Sequence, residues 1–360
     1  MFGSVGAWNP LHSCDGTVGP VAGAYIFGCR GTALSEDEKS FFRAADPWGF
    51  ILFARNVESP DQLRALTSEM REAVGREAPI LIDQEGGRVA RLRQPDWLEW
   101  LPALDQMACT KPGQGARAMW LRYRLIADEL RKLGIDANCA PIADIPTDEV
   151  HPIIRNRCYG GDAATVAGAG RAVADGLLAG GVLPVLKHIP GHGRPTTDSH
   201  KELPRTSVDL ATLQATDFAP FKALADLPLG MTAHVVYEAI DPDNCATLSK
   251  AAITMIRQDI GFDGLLMTDD LSMSALSGSF TERTAASLAA GCDLVLHCHG
   301  DMGEMNEIAS EAGKLSDPAQ RRADRALGFR VAPDEIDQEA FLAELDDLLM
   351  LHGDERDFTP

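Results

Sequence analysis

Residues 182–200 read VLPVLKHIPGHGRPTTDSH. The stretch opens with a short apolar run, Val182 to Leu186, of the kind that forms a strand buried on both faces. Polarity starts at Lys187 and His188, and Pro190, Gly191, Gly193 and Pro195 then end any regular element. A buried strand that delivers reactive side chains into a polar loop is a unit suited to chemistry, and the same unit recurs along the chain.

Strand-like runs occur at 24–29, 49–53, 79–83, 135–145, 183–188, 230–236, 265–269 and 293–298. Helical patterns lie between them at 60–74, 116–133, 164–179, 209–225, 249–260 and 281–290. Ser59, Thr206 and Ser249 stand where helix caps belong, and Gly134 and Gly261 where helices stop. Eight strands, nearly all followed by a helix, predict an α/β fold of the (β/α)8 TIM-barrel type. The competitor is a doubly wound sheet, but that fold gathers its ligand groups at one switch point, and no GxGxxG follows the first strand. Here strand after strand ends in a reactive group: Arg55 and Asn56, Asp83, Asp144, Lys187 and His188, His234, and Asp269. A ring of such groups is what the upper face of a barrel presents.

The chain has 360 residues, 45% of them hydrophobic and 24% charged, enough for one large core. Lys and Arg total 33 against 53 Asp and Glu, a net charge of −20. Such a surface repels phosphate backbones and anionic membranes, so neither nucleic acid nor membrane is an expected partner. Eight cysteines are scattered without a CxxC, no basic–apolar leader opens the chain, and no run is long enough to span a bilayer. A reduced, cytoplasmic protein is the expectation, monomeric by default. Residues 1–17 read as a poorly ordered extension, 18–352 as one catalytic barrel with C-terminal helices packed outside it, and 353–360 as a tail.

Four constellations carry candidate chemistry. Asp83 opens DQEGGRVARL, where a carboxylate and the forked donors of Arg88 and Arg91 suit a hydroxyl-rich ligand. An ordinary surface ion pair on a Gly-Gly turn is the plain alternative. Arg157 lies in RNRCYGG and says little alone. Lys187, if buried at a barrel mouth, needs a partner such as Asp83 or a sugar hydroxyl. His188, His192 and His200 invite a metal, but their spacings of 4 and 8 in a broken loop do not match a helical HExxH. Asp198 and His200 would point apart on a helix, yet in a turn the carboxylate can hold the imidazole. Asp269, in LLMTDDLSM, is a strand-end nucleophile or base, and alternation lets only one of Asp269 and Asp270 face the centre. Helix capping by both acids is the plain alternative there.

Together these residues suggest a double displacement at a sugar carbon, with Asp269 as nucleophile and the Asp198–His200 pair moving protons. At KHIPGHG, DSH, TDDLSM, DQEGGRVARL, NRCYGG and ILFARN the sequence resembles glycoside hydrolase family 3, over residues 18–300. It is closest in pattern to the single-domain bacterial β-N-acetylglucosaminidases of peptidoglycan recycling. The resemblance implies a (β/α)8 barrel, Asp269 as nucleophile, His200 as acid/base, and Asp198 as its partner. It further implies that Asp83, Arg91, Arg157, Lys187 and His188 hold the terminal N-acetylglucosamine of N-acetylglucosaminyl-anhydromuramoyl peptides, with no cofactor or metal. Larger members add a second domain that donates a Glu, and its expected absence here leaves the acid/base task to the loop histidine. His297 and His299 depart from the pattern.

Three other readings stay open on the residues alone. A phosphorylase would use the same site with phosphate resolving the intermediate. A metal-dependent hydrolase would need the histidines, and a sugar-binding protein would need no nucleophile.

Overall fold

Continuous apolar runs pair as parallel strands because both their faces become covered. The computed structural model describes residues 21–150, 152–195 and 203–350. Asp198 and His200 lie outside the described residues, as do the extension at 1–17 and the tail at 353–360. Ten strands are present among them: β1 (Gly23–Phe27), β2 (Pro47–Leu52), β3 (Ile80–Ile82), β4 (Ala137–Asn138), β5 (Leu183–Ile189), β6 (Arg205–Thr206), β7 (Leu229–Thr232), β8 (Val236–Tyr237), β9 (Leu265–Asp270) and β10 (Leu294–His297). Eight close into a parallel barrel in the order β1-β10-β9-β7-β5-β4-β3-β2, with helices around it. This is the (β/α)8 architecture expected from the sequence.

Alternation along each strand separates two cores. Ile26, Ile51, Leu81, Val185, Met231 and Met267 fill the barrel interior, while Phe27, Phe50, Leu52, Ile80 and Ile82 meet the surrounding helices. Each such side chain contributes about 1.5–3 kcal/mol on burial. The same alternation aims the site. Asp83 follows Leu81 at a spacing of two, Lys187 follows Val185, and Asp269 follows Met267, so all three continue the inward face at the carboxyl ends of their strands.

Local signals place the helices. Ser59 accepts from Gln62 N at 3.3 Å ahead of Pro60–Val74, and Gly75 ends that helix at φ 67°. Gly115–Lys132 and Ala163–Ala179 pack closely because a Cβ on Gly176 would lie 2.6 Å from Trp120 O. Three expectations change. The run at 135–145 keeps only β4 in regular pairing, with an isolated bridge from Ile142 to Lys187 beyond it. The run at 230–236 divides, and β8 leaves the barrel to pair with β6. Thr206 is therefore a strand residue; Asp209 caps the next helix, accepting from Thr212 N at 3.0 Å, and that helical stretch breaks ahead of Pro220.

The C-terminal helices run over Met302–Ala312, Asp317–Leu327 and Gln338–Leu348. Ala319, Ala323 and Ala326 of the second join the interior apolar cluster, so that helix closes the amino-terminal end of the barrel. Arg322 fixes it there through Asp293 at 2.9 Å and Asp263 at 3.1 Å. Seven cysteines are free among the described residues, and no described helix is long and apolar enough to cross a membrane.

One buried acid predicts a pH effect on the fold. Glu129, 9% exposed, accepts from Leu98 N at 2.9 Å, while its Oε2 has no partner among the described residues. Burial pushes its carboxyl up to about 7 from 4.5. Because the folded value is the higher one, stability falls as pH rises from the unfolded value through the folded one. Glu129→Gln should therefore gain on the wild type by on the order of 2–3 kcal/mol between about pH 5 and pH 8. Urea titrations at both pH values check this; a pH-independent difference would contradict it.

Candidate active site

The interior face of the barrel turns polar at the carboxyl ends of its strands and opens into a cavity of about 630 Å³. Asp83, Arg91, Arg157, Lys187, His188 and Asp269 all line it, so six of the eight residues singled out in the sequence are brought together. The other two, Asp198 and His200, belong to the undescribed stretch that follows Pro195.

On one side lies a buried charge network. Lys187, 2% exposed, donates to Asp83 Oδ1 at 2.8 Å and lies 2.6 Å from Glu85 Oε1. Arg91 Nη2 donates to Asp83 Oδ2 at 2.9 Å. Arg157 grips Glu85 with both Nε and Nη2 at 2.8 Å. Burial alone would raise the carboxyl pKa values. The facing cations outweigh it, so Asp83 and Glu85 both lie below the usual range, Asp83 strongly. The two carboxylates in turn outweigh the desolvation of Lys187 and hold it above its ordinary value. Every charge here is paired, yet donors remain. Lys187 is hydrogen-bonded to Asp83 and ion-paired with Glu85, and Arg91 Nε is buried without a partner among the described residues. Such an array accepts hydroxyls.

Beside it stands a histidine pair. His188 Nδ1 lies 2.7 Å from Asp144 Oδ2, and Asp144 Oδ1 accepts from His192 N at 2.6 Å. Asp144 is fully buried and its pKa is lowered, because His188 and the His192 backbone outweigh burial. The His192 ring stands 5.6 Å from that of His188. Burial, then the charge on His188, pushes His192 down to about 4, so near neutrality it is an uncharged imidazole. Among the described residues, no group of three His, Cys, Asp or Glu side chains is arranged to hold a metal ion.

The two acids ending β9 separate as alternation requires. Asp270 is tied into the wall by Ser272 N at 3.0 Å, Ser272 Oγ at 2.6 Å and Cys298 N at 3.2 Å. Asp269 accepts only from Asp270 N, at 2.8 Å, among the described residues. Burial would favour its neutral form, but His234, His188 and the backbone donor hold its pKa below the ordinary value. Asp269, with its pKa lowered, is thus an anion at neutral pH that lines the cavity with one oxygen uncommitted among the described residues. That is the condition a carboxylate nucleophile requires.

His234 acts on this acid electrostatically while bonded to its neighbours. Its Nδ1 lies 2.7 Å from Thr247 Oγ1, and its Nε2 lies 3.1 Å from Asp270 O. Thr232 Oγ1 continues the chain at 2.8 Å from Thr247 Oγ1. Burial disfavours a charge on His234. The contact with Cys245 and the Asp269 carboxylate outweigh that, and its pKa is raised.

Glu85 and the role of Asp144 are not singled out by sequence reasoning. The usable signal for Glu85 is its two-residue spacing from Asp83; for Asp144 it is the position after a strand-like run. Of the two departures noted in the sequence, His299 lines the cavity, whereas His297 is buried on the outer face of β10 against Phe27 and Phe280, with Nε2 2.6 Å from Glu304 Oε2.

The description "Glycosyl hydrolase family 3 N terminal domain" matches residues 30–327 of the chain. A β-hexosaminidase of Bordetella avium is 35% identical over 319 residues, spanning 87% of this chain and 90% of its own. A β-hexosaminidase of Alkalilimnicola ehrlichii is 39% identical over 287 residues, spanning 77% and 81%. The crystal structure of NagZ from Neisseria gonorrhoeae in complex with N-trifluoroacetyl-D-glucosamine superposes with a TM-score of 0.77 at 30% identity, covering 90% of this chain and 94% of that one.

Proposed function

The chain belongs to glycosyl hydrolase family 3 and is a glycosidase, and from that premise we propose that it is an exo-acting, retaining β-N-acetylglucosaminidase. The observation that carries the mechanism is Asp269 lining the same cavity as Asp83, Lys187 and Arg157, with an oxygen uncommitted among the described residues. In the first step Asp269 Oδ attacks the anomeric carbon while the glycosidic C–O bond breaks and the leaving oxygen takes a proton. In the second, water adds to that carbon, gives up a proton, and Asp269 leaves as carboxylate. His200, oriented by Asp198, is the group assigned to both proton transfers by the family resemblance.

Asp83, Arg91, Arg157, Lys187 and His188 hold the non-reducing sugar, their spare donors and acceptors matching its hydroxyls. Binding energy from these remote groups positions the anomeric carbon over Asp269. The natural substrates in this reading are N-acetylglucosaminyl-anhydromuramoyl peptides met in the cytoplasm. Support comes from the β-hexosaminidase relatives and from the N-acylated glucosamine bound in the neisserial neighbour.

A proton NMR time course tests the proposal on an aryl N-acetyl-β-glucosaminide and on the disaccharide with anhydromuramic acid. The first product should be the β-anomer of N-acetylglucosamine, at a rate independent of phosphate. Initial α-anomer would overturn retention, and sugar 1-phosphate formed in phosphate buffer would identify a phosphorylase instead.

A further inference from the structure

Glu85 is 2% exposed, and its carboxylate is held by two hydrogen bonds from Arg157 and an ion pair with Lys187. Its backbone is fixed from behind. The Glu85 carbonyl accepts from Arg122 Nη2 and from Tyr123 OH at 3.3 Å, and its N–H donates to Val89 O at 2.9 Å. Arg122 is itself fully buried, held by Gln106 Oε1 at 2.6 Å and lying over Trp100. The next residue must be glycine: at φ +100° a Cβ on Gly86 would come 2.8 Å from Trp100 Cβ and run into the Arg122 guanidinium. The carboxylate is therefore delivered to one place by a rigid turn.

From that place it reaches two cations on different strands' ends. Lys187 comes from β5 and Arg157 from the loop after β4, and among the described residues Glu85 is the carboxylate paired with both. Asp83 fixes Lys187 from its other side but bonds Arg91 rather than Arg157. Without Glu85, Lys187 keeps Asp83 as a partner, while the half-buried Arg157 loses the carboxylate that its forked donors grip among the described residues.

We propose that Glu85 is a positioning residue for substrate affinity, locking Lys187 and Arg157 into a single donor array that grips the hydroxyls of the terminal sugar. This rests on the reading of the cavity as the N-acetylglucosamine site. Glu85 touches no reacting atom in it, so its loss acts on binding and leaves the bond-breaking step at Asp269 in place.

The test compares wild type, Glu85→Gln and Glu85→Asp as full-length protein. KM and kcat are read on an aryl N-acetyl-β-glucosaminide, and the Kd of free N-acetylglucosamine by calorimetry. Glu85→Gln should raise both KM and Kd by about tenfold or more, with kcat held within about threefold. Glu85→Asp keeps the charge with a shorter reach, and should fall between the two. A purely structural residue would lower the folded fraction, and thus apparent kcat, with KM and Kd unchanged; that pattern overturns the inference. If Glu85→Gln does not fold, Glu85→Asp decides: KM and Kd equal to wild type overturn it. Absence of turnover by the wild type would instead remove the glycosidase reading, while the Kd ratio still judges Glu85 as a sugar-positioning group.

Discussion

Asp269→Ala is expected to lower kcat on an aryl N-acetyl-β-glucosaminide by about 10⁴-fold or more, with the protein still folded. The effect is large because the neighbouring carboxylates among the described residues are already engaged. Asp270 has its oxygens engaged by Ser272 and Cys298 N, and Asp83 and Glu85 are neutralised by three cations. Stability should change little, since Asp269 is hydrogen-bonded only to the neighbouring backbone N–H among the described residues. Free N-acetylglucosamine should still bind, because the sugar-holding network is untouched. Retention of wild-type turnover would remove Asp269 from the nucleophile role.

Lys187→Met carries the second large effect, and it falls on stability and activity together. The ammonium sits 2.8 Å from Asp83 and 2.6 Å from Glu85. Removing it leaves two desolvated carboxylates short of a partner, a loss on the order of 3–5 kcal/mol. At about 1.4 kcal/mol per tenfold, a comparable loss of sugar affinity lowers kcat/KM by roughly 10²-fold or more. The pH dependence has a definite sign. In the wild type both carboxyl pKa values are depressed, so their contribution is present above the unfolded values and is lost as pH falls through the folded ones. In Lys187→Met burial prevails and the folded values rise. Acidification from neutral pH should then narrow the stability gap between the two proteins. Guanidinium unfolding at several pH values reads this out, and a gap that widens towards acid would contradict the pairing.

Much of the site was legible because the barrel converts strand periodicity into direction. Leu81–Asp83, Val185–Lys187 and Met267–Asp269 each place an apolar residue in the interior and an ionisable one two positions later at the mouth. That spacing is visible in the sequence, and so are the strong helix caps at Ser59 and Ser249. Partners separated by long stretches of chain were not. Arg157 meets Glu85 across 72 residues, and His188 meets Asp144 across 44; no local pattern encodes those contacts. The end of regular pairing after Asn138 and the departure of β8 from the barrel depend likewise on tertiary pairing. A run of apolar residues such as 230–236 shows that a segment is buried, without showing that its end pairs with 205–206 instead of the barrel.

The central claim is that Asp269 becomes covalently linked to the sugar. The most direct measurement is peptide mass spectrometry of the protein after incubation with a fluorinated N-acetylglucosaminyl donor whose second step is slow. One added sugar residue is expected on the peptide containing Asp269, absent from Asp269→Ala. An unmodified wild-type protein that nevertheless turns the donor over, or a sugar attached to any other side chain, would contradict it.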